Sequence, residues 1–196
     1  MSSAAEPRRR LALIGVDHRL ERWVVTHRVG WLDWVFIFLS RIGSYGLVWL
    51  VLAAGAVWLW RRPTALPLVL AADALADGLA TLGKFAIDRR RPHVDPLVHV
   101  PHTPSFPSGH AATSFACAAT LARFVPRRVG VLLYVLAALI AFSRVYLGVH
   151  YPLDVLAGCV LGLAIATALR LSLARFAFRS GSRPSAAPIG RRSRER

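Results

Sequence analysis

Long apolar runs separated by short arginine- or proline-rich breaks organise this chain. The first uncharged run extends from about Ser44 to Trp60 and stops at Arg61-Arg62-Pro63. A second runs from about Ala65 to Ile87, with Pro67 near its start, where proline is tolerated. A third covers about Ser108 to Phe124, a fourth about Val129 to Tyr146, and a fifth continues from the Gly148–Pro152 connection to about Leu173. Several approach the roughly 20 residues needed to cross a bilayer. The pattern therefore predicts an all-α, polytopic transmembrane helical bundle with five spans. Ahead of them, Asp17 to Arg28 mixes charges with Leu20, Trp23, Val24 and Val25, the spacing of an amphipathic helix lying on a membrane surface. Trp31 to Leu39 is strongly apolar but short and holds Asp33. It reads as an interfacial or partly inserted helix, with a sixth span as the alternative. Trp23, Trp31 and Trp34 read as interfacial anchors.

The domain layout follows. Residues 1–16 form a basic tail expected to be mobile, residues 17–174 a single membrane domain, and residues 175–196 an Arg/Ser-rich tail expected to be disordered. There is no internal repeat.

Composition sharpens this picture. The 196 residues are 55% hydrophobic with a mean hydropathy of +0.47, which argues against a soluble helical bundle. A net charge of +15 would suggest nucleic acid in a soluble protein. Here the arginines sit between apolar runs and in the tails, where they meet anionic lipid headgroups, and no nucleic-acid-binding motif accompanies them. The expected partner is the bilayer, not nucleic acid; the sequence assigns no oligomeric state. Cys117 and Cys159 each lie inside an apolar run and read as core packing rather than a disulfide or metal site. The stretch Leu11 to Val16 is too short for a signal-peptide core and is interrupted by Asp17.

The chemistry gathers in three places. Lys84, the single lysine among 25 Lys and Arg residues, opens a run that ends in Arg89-Arg90-Arg91-Pro92. Pro107-Ser108-Gly109-His110 closes a loop, Arg89 to Pro107, that contains five prolines with Pro107 included. Ser143-Arg144 precedes His150 and Asp154. Five alternating spans place the Arg89–Pro107 loop and the Leu147–Tyr151 connection on one membrane face, so the three clusters can converge. Arg61-Arg62, Arg127-Arg128 and the C-terminal tail fall on the other face. Cations and backbone donors at helix ends bind phosphate, and a histidine beside a carboxylate can attack or transfer a proton. The combination points to phosphoryl transfer.

In these clusters the chain resembles the type 2 phosphatidic acid phosphatase (PAP2) superfamily, in its small bacterial membrane branch. That family's motifs are Lys-x6-Arg-Pro, Pro-Ser-Gly-His and Ser-Arg-x5-His-x3-Asp; here they read Lys84 through Arg91-Pro92, Pro107 to His110, and Ser143-Arg144 through His150 to Asp154. The physical reading stands beside the resemblance. Lys84, Arg91 and Arg144 supply three cations for the equatorial oxygens of a transferring phosphoryl group. Ser108 and Gly109 can direct backbone N–H groups, with the Ser108 hydroxyl, at phosphate where a helix begins. His150 and Asp154 are four apart and share a helix face. Asp154 can then hold one ring nitrogen while the other attacks phosphorus. His150 is thus the expected nucleophile, forming a phosphohistidine, and His110 the acid for the leaving group and then the base for water. The resemblance implies the same roles, and no metal or cofactor.

Several residues keep two readings. Arg89 and Arg90 are interfacial anchors or contacts to a second phosphate or headgroup. Asp73 and Asp77 are a buried charge-balancing or polar pair, or touch substrate. His93, His99 and His102 match no zinc pattern and read as loop residues at a pocket mouth. Asp154 can also cap the last helix.

The expected function is an integral membrane lipid phosphatase. A polyprenyl diphosphate such as undecaprenyl diphosphate is the favoured substrate, ahead of phosphatidylglycerol phosphate, phosphatidate or a polyprenyl-phosphoryl sugar phosphate. The rivals are phosphotransfer to another lipid and non-catalytic lipid binding or transport. The membrane spans argue against the large, soluble vanadium haloperoxidases, which use a similar pocket. The positive-inside rule puts Arg61-Arg62, Arg123, Arg127-Arg128 and the tail in the cytoplasm and the active site on the extracytoplasmic face. Five spans also put Arg8 to Arg10 outside, which the same rule disfavours.

Overall fold

The computed structural model describes residues 5–181. Among them are seven α-helices: α1 (Ala5–Thr26), α2 (Gly30–Ile42), α3 (Leu47–Trp60), α4 (Ala65–Ile87), α5 (Gly109–Leu121), α6 (Arg127–Tyr146) and α7 (Pro152–Gly181). A 3₁₀ turn, Ser44–Gly46, joins α2 to α3, and no strand occurs among the described residues. Helical structure thus reaches past both tail boundaries drawn from the sequence, because arginine is a good helix former. The remainder of those tails, 1–4 and 182–196, lies outside the described residues.

Three helices, α4, α6 and α7, are long and apolar enough to cross a bilayer. α2 and α3, bent by 68° between them, make a fourth if taken as one broken span. The five expected spans are therefore not all present as full-length helices. α3 has 14 residues and α5 has 13, short of the roughly 20 a lone span requires. α5 is the central helix, packed against α4, α6 and α7. Its neighbours shield it, so it need not be long or apolar on every side.

Packing follows from small residues inside and large ones outside. Ala72, Ala76 and Ala80 of α4 meet Ala112 and Ala116 of α5 in one buried cluster. Gly158 and Gly162, one turn apart on α7, lie directly against α5. A Cβ at Gly158 would collide with the Ser108 carbonyl oxygen, and one at Gly162 would stand 2.8 Å from the Ala116 nitrogen. Small residues four apart are what allow membrane helices to approach this closely. Leu70, Leu79, Leu82 and Phe85 of α4, Leu132 and Val135 of α6, and Leu156 and Val160 of α7 point outward, as a lipid-facing surface requires.

α1 departs from the expected surface helix with its charges in water. Asp17 and Glu21 are 2% and 1% exposed, while Leu20 and Trp23 are 49% and 61% exposed. Its acidic stripe faces the bundle, and that orientation matters at the site.

Candidate active site

Four helix ends build the site. Lys84 lies in the last turn of α4, Gly109 and His110 open α5, Arg144 lies in the last turn of α6, and Asp154 in the first turn of α7. The α4–α5 loop and the α6–α7 connection supply Arg91 and His150. Lys84, Arg91, Gly109, His110, Arg144 and His150 line one cavity of about 580 Å³. A Cβ built on Gly109 would stand 3.8 Å from the Lys84 Nζ, so the ammonium lies over the first turn of α5, where backbone N–H groups lack helical partners.

The α6–α7 connection is tightly folded. Gly148 has φ +70°, a backbone that side chains rarely adopt, and a Cβ there would meet the Val94 carbonyl oxygen at 2.7 Å. The N–H groups of Val149 and His150 both donate to the Arg144 carbonyl at 3.2 Å. His150 is held 2% exposed at a set distance from Arg144.

Arg91 is just as constrained. Its Nε donates to the Thr103 carbonyl at 2.7 Å, and its Nη2 to the Thr103 hydroxyl at 3.2 Å and the Pro104 carbonyl at 3.3 Å. Its Nη1 donates to the Val149 carbonyl at 2.9 Å and meets His150 Nε2 at 3.1 Å. A guanidinium carries five N–H donors and no acceptor, so all five are engaged. The one facing His150 requires Nε2 to be the unprotonated nitrogen. Nδ1 then carries the ring proton of the neutral imidazole and faces Asp154 Oδ2 at 3.5 Å, too long for a formed hydrogen bond and close enough to tighten with substrate. Burial, with the neighbouring guanidiniums of Arg144 and Arg91, lowers the His150 pKa to about 4, against the opposing pull of Asp154.

Asp154 sits behind His150, outside the cavity, and is fully buried. Oδ2 accepts the Tyr151 N–H at 3.0 Å, the reach-back of a third-position acid to the residue before the helix, and the same oxygen faces His150. Oδ1 accepts from Arg89 Nη1 at 2.5 Å.

Across the cavity, Ser40 of α2 and Ser44 of the 3₁₀ turn hold the other two polar groups of the site. The Ser44 hydroxyl donates to the Ser40 carbonyl at 3.0 Å and meets His110 Nε2 at 3.3 Å. A hydroxyl has one proton, so Ser44 accepts from His110 Nε2–H. Arg144 Nη1 donates to the Ser40 hydroxyl, while its Nε is buried without a partner among the described residues. An arginine only 6% exposed with an unspent donor is suited to an anion.

Several expectations change. Ser108 is not on the cavity wall: its N–H donates to the Asp154 carbonyl at 2.9 Å, and its buried hydroxyl has no partner among the described residues. Its N–H thus secures α5 to α7 instead of pointing at phosphate, and only its hydroxyl is left unspent. Arg89 has a role that neither reading anticipated. It bridges Asp154 and Asp17. Arg90 is exposed beside an adjoining cavity that also takes His93 and His102; His99 contacts the His102 ring. Asp73 and Asp77 line the main cavity; Asp73 makes a polar contact, accepting from the Cys117 thiol at 3.9 Å, and neither carboxylate forms an ion pair among the described residues. The sequence reading missed Asp17, Ser40, Ser44 and Thr103. All four reach the site through tertiary packing, and none sits in a motif.

The likeness to known proteins agrees with this geometry. The chain is 32% identical over 155 residues to an undecaprenyl-diphosphatase of Sulfolobus acidocaldarius, covering 76% of this chain and 74% of that one. It is 37% identical over 131 residues to a decaprenylphosphoryl-5-phosphoribose phosphatase of Mycobacterium tuberculosis, covering 65% and 72%. The crystal structure of a transmembrane PAP2 type phosphatidylglycerolphosphate phosphatase from Bacillus subtilis superposes with a TM-score of 0.70 at 28% identity, covering 88% of this chain and 89% of that one. Residues 64–177, which carry all three motifs, match the PAP2 superfamily, and the chain belongs to that family.

Proposed function

We propose that this membrane lipid phosphatase removes the terminal phosphate of a polyprenyl diphosphate through a phosphohistidine on His150. The observation that carries the reading is the contact of His150 Nε2 with the Arg91 guanidinium, a donor only, in a cavity that Lys84 and Arg144 also line. The three cations bind the equatorial oxygens of the terminal phosphate, and the Arg91 Nη1–H now resting on Nε2 turns to one of them. Nε2 attacks phosphorus, the bridging P–O bond breaks, and His110 protonates the departing lipid phosphate. His110 then takes a proton from water, which attacks the phosphohistidine and releases inorganic phosphate. The named activity of the Sulfolobus relative supports the diphosphate.

A second substrate reading rests on Asp73 and Asp77. Carboxylates that form no ion pair among the described residues, set in a phosphate cavity, repel a second phosphate and accept hydrogen bonds from hydroxyls. They favour a glycerol- or sugar-bearing lipid phosphate, the chemistry named for the mycobacterial relative.

The topology we propose keeps five crossings, α3 to α7. The site takes the C-terminal end of α4, the N-terminal end of α5, the C-terminal end of α6 and the N-terminal end of α7, so successive helices must alternate. The arginines at the opposite end, Arg61-Arg62 and Arg127-Arg128, support an extracytoplasmic site in a cell membrane. Residues 17–174 then act as one domain.

The experiment is phosphate release from a detergent-solubilised panel of polyprenyl diphosphate, phosphatidylglycerol phosphate, phosphatidate and a polyprenyl-phosphoryl sugar phosphate, with EDTA present. Release by the wild type and not by His150→Ala is expected, fastest on the diphosphate. Equal release by both proteins removes His150 from the mechanism. Preference for a hydroxyl-bearing lipid selects the second reading, and transfer of phosphate to lipid rather than water selects phosphotransfer.

A further inference from the structure

Asp17 lies on α1, outside the stretch that matches the family, yet it is 2% exposed and touches two parts of the site. Its Oδ2 accepts from Arg89 Nη2 at 2.6 Å. Its Oδ1 accepts the Leu153 N–H at 2.9 Å. Leu153 is the second residue of α7, and its N–H is a donor that a side chain at the preceding cap position usually takes. That position is Tyr151, which has no acceptor within reach of its own backbone. Asp17 supplies the missing cap from another helix. The Arg89 guanidinium lies 4.2 Å from the Tyr151 ring centroid, and Tyr151 stacks on His18 of α1 at 4.4 Å. The arginine is therefore fixed from both sides.

Charge explains why Arg89 needs a partner. By binding Oδ1, Arg89 fixes the carboxylate plane of Asp154 and leaves Oδ2 toward His150 Nδ1. Taken alone, it would also cancel the Asp154 charge that His150 needs as positive charge develops on its ring. Asp17 neutralises Arg89, and the trio, both of its carboxylates buried, keeps one net negative charge behind the imidazole. We propose that Asp17 and Arg89 are a positioning pair through which helix α1 orients Asp154 and preserves its charge for the attack by His150. This rests on His150 as the nucleophile.

The test is rapid-quench measurement of phosphohistidine formation, with steady-state kinetics, on purified full-length protein. Wild type, Asp17→Asn, Asp154→Asn and the double variant are compared. Asp17→Asn should slow phosphohistidine formation roughly tenfold to a hundredfold, the scale on which supporting partners of a functional histidine act. KM for the lipid should move less than about twofold, because no substrate contact is lost. In the Asp154→Asn background the further loss should vanish. The same fold-loss in both backgrounds, or a rise in KM with an unchanged rate, overturns the pair. Arg89→Lys, which keeps the charge but cannot span both carboxylates, is read by the same criteria should Asp17→Asn fail to fold. A wild type that releases phosphate without a phosphohistidine refutes the nucleophile, and the pair with it. A phosphohistidine that forms at equal rates in wild type and variants refutes only the pair.

Discussion

Arg91 Nη1 lies 3.1 Å from His150 Nε2, so a cation of the first motif rests on the histidine of the third before any phosphate arrives. The contact fixes the imidazole tautomer and marks where a phosphate oxygen will compete for the same proton. Lysine cannot reproduce it, since it has three donors on one flexible nitrogen and Arg91 uses five in a plane. Arg91→Lys should lower kcat/KM by about 10²- to 10³-fold, the scale of losing one preorganised donor to developing charge. Thr103 should become mobile as well. Phosphate-release kinetics and hydrogen exchange across residues 101–105 check the two effects.

The low pKa of His150 gives a sign for pH. Its value, about 4, lies below the ordinary histidine value of roughly 6.5. The neutral nucleophile therefore persists through mild acid, and the His150 contribution to the acid limb of kcat/KM should fall near 4. The stability consequence runs the same way. Between these values the unfolded chain binds the proton and the folded one does not, so this stability is present above about pH 6.5 and lost as pH falls toward 4. Thermal unfolding in detergent should show the drop between pH 7 and pH 4.5, and His150→Gln should reduce it.

Asp73 and Asp77 separate the two substrate readings. If they accept substrate hydroxyls, Asp73→Asn and Asp77→Asn should each weaken kcat/KM for a glycerol- or sugar-bearing lipid phosphate by roughly tenfold, the worth of a charged hydrogen bond. A bare diphosphate should be used as well as before, or better. The ratio of the two specificity constants is the measurement.

Gly162 should be intolerant of any side chain. A Cβ there collides with the Ala112 carbonyl and lies 3.1 Å from the Phe115 Cβ. Gly162→Val must push α7 from α5, at about 1–3 kcal/mol for an overpacked contact. Because α5 carries His110 and α7 carries Asp154, activity should fall together with the melting temperature.

Much of this protein was legible in advance because the relevant signals are local. The α4 boundaries, Ala65–Ile87, match the apolar run between Pro63 and the arginine cluster. Lys84, Arg91, Gly109, His110, Arg144 and His150 share one cavity because motifs at alternate ends of consecutive helices are forced to one side. What misled was equally physical. The run that became α5 reads like its lipid-facing neighbours, because hydropathy does not distinguish a lipid-facing helix from one packed among α4, α6 and α7. Ser108 looked like a phosphate donor because it opens a helix, but its N–H had a nearer acceptor in Asp154.

Helix number and the clustering of charge were determined by the sequence itself, since hydrophobic periodicity depends only on neighbours along the chain; His150 does not share a helix face with Asp154 as expected but faces it from the connection before α7. The tertiary structure alone decided that Arg89 serves Asp154, that Ser44 serves His110, and that the acidic stripe of α1 faces inward. Asp17 and Asp154 are 137 residues apart. Their shared arginine exists only because burial leaves each carboxylate no water to turn to.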